Sequence, residues 1–249
     1  MPLLECKGVG KRFGALVAVD SVDMAVEQGQ IRAVIGPNGA GKSTLFNLIT
    51  SVLRPSTGRV VFAGEDLTGL PVHAVAQRGI ARTFQLCHVF PGLTARENVR
   101  VAAQAREDGR WRFLGGGGVL VRSGAVADQA LERLRLTRFA ETPAGLMSHG
   151  DQRLLEVAMA VAQQPRLLML DEPTQGLSIE ETDRAVEILK SMLSEGDLSV
   201  ILVEHDMEVV FKLAHAITVL HRGRVIADGP PAAVRANAEV QRAYLGESE

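Results

Sequence analysis

One segment of the sequence has the pattern G-x-x-x-x-G-K-[ST], which could bind the phosphate groups of a nucleotide. This phosphate loop comprises Gly36, Pro37, Asn38, Gly39, Ala40, Gly41, Lys42, Ser43 and Thr44. Its glycines let the backbone turn so that successive N–H groups face one anion-binding concavity. Lys42 supplies a mobile charge for the β- and γ-phosphates, and the Ser43 hydroxyl is a Mg²⁺ ligand. The segment therefore predicts a site for a nucleotide and Mg²⁺.

Two carboxylates, Asp171 and Glu172, follow the apolar run 167–170. A buried strand that ends in this way would place both groups at its carboxyl edge, where ligands bind in open α/β sheets. Asp171 would then bind Mg²⁺, and Glu172 would orient and polarise the attacking water. The alternative is a helix N-cap followed by acidic residues in the first turn. The phosphate loop upstream favours the catalytic interpretation.

Short apolar runs must form the strands that position these groups. Residues 31–35, 166–170 and 199–203 have the almost wholly apolar character of strands that are buried on both faces. Val186, Leu189 and Leu193 recur at helical spacing between the last two runs. Strands of this type separated by helices predict an α/β fold with a mostly parallel sheet. Alternating apolar residues at 22, 24 and 26 predict a further strand in an antiparallel β part.

The middle of the chain has helical patterns and no convincing strand. Thr94 and Glu97 form a capping box that begins one helix. We therefore predict an inserted helical subdomain over 94–164, between a P-loop core with an antiparallel β part over 1–93 and the rest of the core with C-terminal helices over 165–249. Within the insert, the basic, aromatic and Gly-rich stretch 110–122 indicates a solvated loop, flexible over 115–118.

Composition limits the class of protein. The 249 residues are 46% hydrophobic and 22% charged, an ordinary globular balance. The net charge of −2 argues against a nucleic-acid partner bound by bulk electrostatics. Two cysteines without metal-type spacing predict neither a disulfide framework nor a zinc site. Because neither a signal peptide nor a spanning segment is evident, we expect any membrane to be reached through a partner.

Three further groups separate one P-loop class from the others. Gln85 precedes the helical region, the signature segment 147–152 reads M-S-H-G-D-Q, and His205 follows a later strand. Each one alone is typical of a surface Gln, an N-capping Ser or a strand-end His. In this order and spacing they resemble the ABC ATPase family over nearly the whole chain.

The resemblance implies a role for each matching residue. Gln85 would be the Q-loop residue, a ligand of Mg²⁺ that takes part in catalysis, and His205 would be the switch histidine. Phe13 falls where the family stacks an aromatic ring on adenine, with a core Phe as the alternative. Ser148 and Gly150 would contact the γ-phosphate of an ATP held by a second subunit, while the His149 side chain points away from the phosphates. The family's usual L-S-G-G-Q is M-S-H-G-D here, and Ser178 stands where an Asp is usual.

The resemblance also implies a setting and partners. It predicts an ATP-hydrolysing subunit at the cytoplasmic face of the inner membrane, paired with a second ATP-binding subunit and bound to integral-membrane permease subunits. Several segments look like those of the branched-chain amino acid importers, so an extracytoplasmic solute-binding protein is expected as well. Relatives in this group also carry urea, amides or aromatic acids. The segments are K-R-F-G at 11–14, A-R-T-F-Q at 81–85, F-P-G-L-T at 90–94, G-D-Q-R at 150–153 and A-Y-L-G-E at 243–247.

Other classes fit less well. An ABC ATPase of translation or DNA repair would need a second cassette or a long coiled-coil insert, and neither fits in this length. A P-loop kinase or GTPase would lack the groups at Ser148, Gly150 and His205. An exporter, for example one that extracts lipid, stays open because the ATPase motifs would look alike.

Overall fold

The computed structural model describes residues 1–83, 88–105, 117–194 and 198–245, apart from the side chains of 117–121 and 244–245. Strands and helices alternate along these ranges. The strands are β1 (Leu4–Phe13), β2 (Leu16–Val26), β3 (Ile31–Ile35), β4 (Thr57–Phe62), β5 (Glu65–Asp66), β6 (Ile80–Arg82), β7 (Leu167–Asp171), β8 (Ser199–Val203), β9 (Ala216–His221) and β10 (Arg224–Gly229). The helices are α1 (Lys42–Ile49), α2 (Val72–Gln77), α3 (Ala95–Gln104), α4 (Gly117–Arg133), α5 (His149–Val161), α6 (Ile179–Ser194), α7 (Met207–Leu213), α8 (Pro231–Arg235) and α9 (Ala238–Leu245).

The chain divides into two compact units. The first comprises Met1–Ile80 and Asp197–Glu249, and the second comprises Ala81–Gly196. The first unit contains an antiparallel sheet in the order β2-β1-β4-β5 and a second group of strands in the order β10-β9-β3-β8. Strand β3 pairs in parallel with both β8 and β9, whereas β9 and β10 are antiparallel. The fold is therefore mixed α/β with parallel and antiparallel parts.

Strands β3 and β8 form where the sequence predicts them. Every residue of Ile31–Ile35 and of Ser199–Val203 is buried, as expected for parallel strands covered on both faces. Ile35 belongs to a core cluster with Val210, Val219 and Val234. This packing fixes the carboxyl end of β3, from which the phosphate loop begins.

The second unit contains β7 and a set of helices. Every residue of β7 is buried, and the Thr83 N–H donates to the Met169 carbonyl oxygen at 2.9 Å. The capping box at the start of α3 is confirmed: the Thr94 hydroxyl accepts from the Glu97 N–H at 3.2 Å, and the Glu97 carboxylate accepts from the Thr94 N–H at 2.8 Å. In the described ranges, neither unit has a helix long and apolar enough to cross a membrane.

The prediction of a solvated loop over 110–122, flexible over 115–118, is wrong from residue 117 onward. Helix α4 begins at Gly117, while residues 110–116 lie outside the described ranges. Ser123, Ala127, Ala130 and Leu131 recur at helical spacing and are buried. A packed face of this kind stabilises a helix more than the propensity of its first residues does, so two glycines are tolerated at its start.

Candidate nucleotide-binding and catalytic site

The phosphate loop connects β3 to α1, and its shape requires glycine at two positions. Gly36 and Gly41 have φ angles of 151° and 105°. A Cβ atom on Gly36 would lie 2.1 Å from the Leu220 carbonyl oxygen, and one on Gly41 would lie 2.6 Å from the Ala18 carbonyl oxygen. No real Cβ approaches backbone so closely, so any side chain here would displace the loop.

Lys42 is the first residue of α1, and its side chain folds back over the loop. Its Nζ donates to the carbonyl oxygens of Gly36 at 2.5 Å and Pro37 at 3.0 Å, and the residue is buried. Ser43 is exposed beside it, in the first turn of the helix. The loop thus combines backbone N–H groups, a helix N-terminus and one ammonium group, an arrangement suited to phosphate.

Phe13 and His205 also lie in the first unit, and both are exposed. Phe13 ends β1 with 47% of its surface accessible, so it is not a core residue. Lys11 Nζ lies 5.2 Å from the centroid of its ring. His205 follows β8, and its N–H donates to the Glu204 carboxylate at 3.1 Å. Both side chains are accessible to a ligand.

Asp171, in the second unit, ends β7 and is fixed by two residues of the neighbouring segment. Its Oδ2 accepts from Arg82 Nη2 at 2.8 Å, and its N–H donates to the Thr83 hydroxyl at 3.2 Å. The Arg82 and Asp171 side chains are only 11% and 8% exposed. Arg82 and Thr83 belong to the segment A-R-T-F-Q at 81–85, but the sequence alone assigns neither residue a role. The signal that could have identified them is their place in the segment that ends at Gln85.

Glu172 has a strained backbone. Its φ is 51°, a left-handed value that is unusual for a residue with a side chain, and the residue is buried. Strain of this kind persists only where the surroundings impose it, and it is concentrated at functional sites. Glu172 is therefore held in a backbone conformation that an ordinary strand end would not adopt.

The signature segment forms the start of α5. Ser148 is the N-cap: its hydroxyl accepts from the Asp151 N–H at 3.1 Å and donates to Asp151 Oδ2 at 2.9 Å. Asp151 is buried, and its Oδ1 lies 3.0 Å from Arg184 Nη2, an ion pair without hydrogen-bond geometry. Gly150 lies in the first turn of the helix. The segment thus presents a hydroxyl and a backbone N–H at a helix N-terminus.

Ser178 has a clear local role. Its hydroxyl accepts from the Glu181 N–H at 3.2 Å, and the Glu181 carboxylate accepts from the Ser178 N–H at 3.1 Å. This reciprocal pair is a capping box at the start of α6. The residue that replaces the family's usual Asp therefore begins a helix.

The predicted site residues are distributed over both units. The first unit holds Phe13, the phosphate loop and His205, and the second holds Ser148, Gly150, Asp171 and Glu172. Gln85 lies outside the described residues. Each described residue occupies the end of a strand or the beginning of a helix, or a loop between the two.

These features define a P-loop nucleotide-binding protein. A family model described as "ABC transporter" matches residues 19–175. A second model, described as "Branched-chain amino acid ATP-binding cassette transporter", matches residues 224–249. The chain belongs to the ABC transporter family of ATP-binding subunits, which hydrolyse ATP to power transport. The family and the fold class predicted from the motifs are thus confirmed.

Individual relatives agree with this assignment. The chain is 40% identical to the high-affinity branched-chain amino acid transport ATP-binding protein BraF of Pseudomonas aeruginosa, with 99% of each sequence covered. It is also similar to the ADP conformation of MJ1267, an ATP-binding cassette of an ABC transporter, with 27% identity, a TM-score of 0.85 and 99% of each chain covered. A dimeric post-hydrolysis structure of the cassette MJ0796 with ADP and Pi is 26% identical, with a TM-score of 0.77 over 92% of this chain and 98% of that one.

Proposed function

We propose that this chain powers the uptake of branched-chain amino acids or of a related small amino acid, amide or carboxylate. The similarity to BraF over 99% of both sequences carries this proposal. The C-terminal match over 224–249 supports it, because that model is described by the same class of transporter. We place the subunit at the cytoplasmic face of the inner membrane, bound to permease subunits and supplied by an extracytoplasmic solute-binding protein.

We propose that the first unit binds ATP through four contacts. The backbone N–H groups of residues 36–44 and the start of α1 surround the phosphates. The Lys42 ammonium exchanges the Gly36 and Pro37 carbonyl oxygens for β- and γ-phosphate oxygens. The exposed ring of Phe13 stacks on adenine. His205 contacts the γ-phosphate region from its exposed position after β8.

Hydrolysis, in this proposal, depends on the carboxylates at the end of β7. Glu172 orients the attacking water and accepts its proton. Ser43 and Asp171, with Gln85, are the residues that would hold Mg²⁺, whose charge would offset that of the phosphates. The donor set fits this ion, since Mg²⁺ takes oxygen ligands and commonly only one or two carboxylates beside the phosphates.

We further propose that two copies, or this chain and a paralogue, share their sites. Ser148 and Gly150 of one subunit would contact the γ-phosphate of ATP bound to the other. ATP would then have a higher affinity for the closed dimer, and such a difference is what a ligand needs in order to shift an equilibrium. Hydrolysis would remove the bridging phosphate and release the dimer, so that permease subunits alternate between two states.

Substituting Ser148 tests the shared site. We expect Ser148→Arg to reduce hydrolysis by at least about a hundredfold, because a large side chain separates the donors from the phosphate. Nucleotide binding to the isolated subunit should stay near the wild-type value, since the phosphate loop is unchanged. Steady-state ATPase assays and fluorescent-nucleotide titration measure the two quantities. His149→Gly is the control and should retain most of the activity; an equal loss in both variants would show that His149 itself contacts nucleotide or partner.

Reconstitution tests the direction and the cargo. The chain is co-purified with its membrane subunits, placed in proteoliposomes with the cognate solute-binding protein, and supplied with ATP on the side of the ATPase. We expect ATP-dependent uptake of radiolabelled leucine, isoleucine or valine, or of a small amide or carboxylate, and none without ATP. ATP-driven movement of solute or lipid in the opposite sense would contradict import and favour an exporter.

A further inference from the structure

The two groups of the signature segment that we propose to bind phosphate lie against carboxylates of their own chain. The Ser148 hydroxyl donates to Asp151 Oδ2 at 2.9 Å. The Glu181 carboxylate lies over Gly150, with its Oε1 3.1 Å from the position that a Cβ on Gly150 would occupy. A phosphate that used the same hydroxyl and N–H would have to replace both contacts.

Glu181 reaches this position from the first turn of α6. The Ser178 N–H, at 3.1 Å from Oε2, holds the carboxylate from its other side. The hydrogen bonds from Ser178 are the main cause that holds the pKa of Glu181 below its usual value. The side chain is therefore a carboxylate anion at neutral pH, and this anion bridges the start of α6 and the start of α5.

The two carboxylates differ in their freedom to move. Asp151 is buried, close to Arg184, and follows Gly150 within the same helical turn. Glu181 is half-buried on the surface of α6, and its long side chain can rotate away while its Ser178 partner stays bonded through the Glu181 N–H. Glu181 is thus the group that can leave.

We propose that Glu181 is an internal competitor for the Gly150 N–H, so that the γ-phosphate of the opposite subunit's ATP must displace its carboxylate before the dimer closes. This inference rests on the shared site under Proposed function. One N–H cannot be shared by two anions without repulsion between them, so the carboxylate raises the ATP concentration that closure requires. The Asp at 151, where the family usually has Gln, adds a second negative charge at the same helix N-terminus.

Glu181→Gln tests the competition. Glutamine keeps the length of the side chain and can serve in a capping box, so α6 should remain capped while the charge is lost. In a Glu172→Gln background, which keeps ATP intact, the half-maximal ATP concentration for dimer formation should fall by at least about threefold, the upper range for one partly exposed charge pair. Sedimentation velocity over a series of Mg²⁺–ATP concentrations measures it.

Glu180→Gln is the matched control. Glu180 carries the same charge one residue earlier and is exposed. It should leave the half-maximal concentration unchanged, as should the ATP affinity of each monomeric variant, measured at low protein concentration. Glu181→Ala, compared with Glu180→Ala, repeats the test without any hydrogen-bonding group at 181.

Several outcomes would overturn the proposal. If Glu181→Gln and Glu181→Ala behave like their Glu180 controls, the carboxylate does not compete. If both require more ATP than the parent chain, Glu181 supports the closed dimer instead. If the Glu172→Gln parent forms no ATP-dependent dimer while the wild type hydrolyses ATP, the shared site itself is wrong, and the competition falls with it.

Discussion

Lys42→Ala is expected to reduce ATP hydrolysis by at least about a hundredfold, the usual cost of losing one preorganised charge that stabilises the transition state. Lys42 supplies the one ammonium group within the phosphate loop, and in the structure it already lies against the loop carbonyls of Gly36 and Pro37. Replacing it with alanine leaves the backbone N–H groups and the start of α1 in place. ATP binding should therefore weaken less than turnover falls.

The measurement is steady-state ATPase activity of the chain reconstituted with its membrane subunits. Far-UV circular dichroism and urea unfolding of the isolated chain check that the fold is kept. Lys190→Ala is the control, because Lys190 is an exposed lysine of α6 outside every proposed contact. Near-normal turnover of the Lys42 variant with an unchanged spectrum would remove Lys42 from the site.

Much of the fold follows from local sequence signals. The buried strands β3 and β8 have the bounds that their apolar runs predict, and β7 begins and ends within one residue of its prediction. The capping box at Thr94 forms because its two bonds involve residues three apart, which depend on nothing distant. Elements of this kind can be predicted from the sequence because the interactions that form them lie within one helical turn or one strand.

The phosphate loop could also be predicted in detail, because its glycines are required by the backbone itself. The close approach of Gly36 to the Leu220 carbonyl explains the first glycine by a contact that the pattern alone does not name. The exposure of Phe13 decides between a core ring and an accessible one, a choice that depends on tertiary packing. The sequence thus identifies the residues of the phosphate loop and Phe13, whereas the contacts and the exposure of these residues depend on the fold.

What could not be predicted depends on tertiary packing, and much of it involves residues distant in sequence. The ion pair of Arg82 with Asp171 joins positions 89 apart, and the Glu181 contact joins α6 to α5. The left-handed backbone of Glu172 has no sequence signal, since glutamate is not a residue that favours it. Helix α4 begins at glycine because packing further along the helix outweighs propensity. Each is a tertiary effect.

The contacts of Asp171 and the backbone conformation of Glu172 preorganise the two carboxylates at the end of β7. The Arg82 guanidinium orients the Asp171 carboxylate, and the Thr83 hydroxyl accepts from the Asp171 N–H. Glu172 is held in a left-handed backbone conformation. Neither arrangement requires the arrival of ligand. In the proposed mechanism these groups thus need little reorganisation during hydrolysis. Preorganised groups accelerate a reaction because they cost no reorganisation free energy in the transition state.

Glu172→Gln is expected to bind ATP and to hydrolyse it at least about a hundredfold more slowly, within the range that a general base contributes. Glutamine has the shape of glutamate and cannot accept the proton of the attacking water. Both residues have the same difficulty in adopting a φ of 51°, so the free energy of unfolding should change little. With hydrolysis blocked, ATP persists between the subunits, and the closed dimer should accumulate.

Size-exclusion chromatography in Mg²⁺–ATP should show dimer for the variant and mostly monomer for the wild type, which consumes its ATP. Glu180→Gln, an identical change at an exposed position, should behave like the wild type. A Glu172→Gln protein that stays monomeric and still hydrolyses ATP at the wild-type rate would show that the base lies elsewhere.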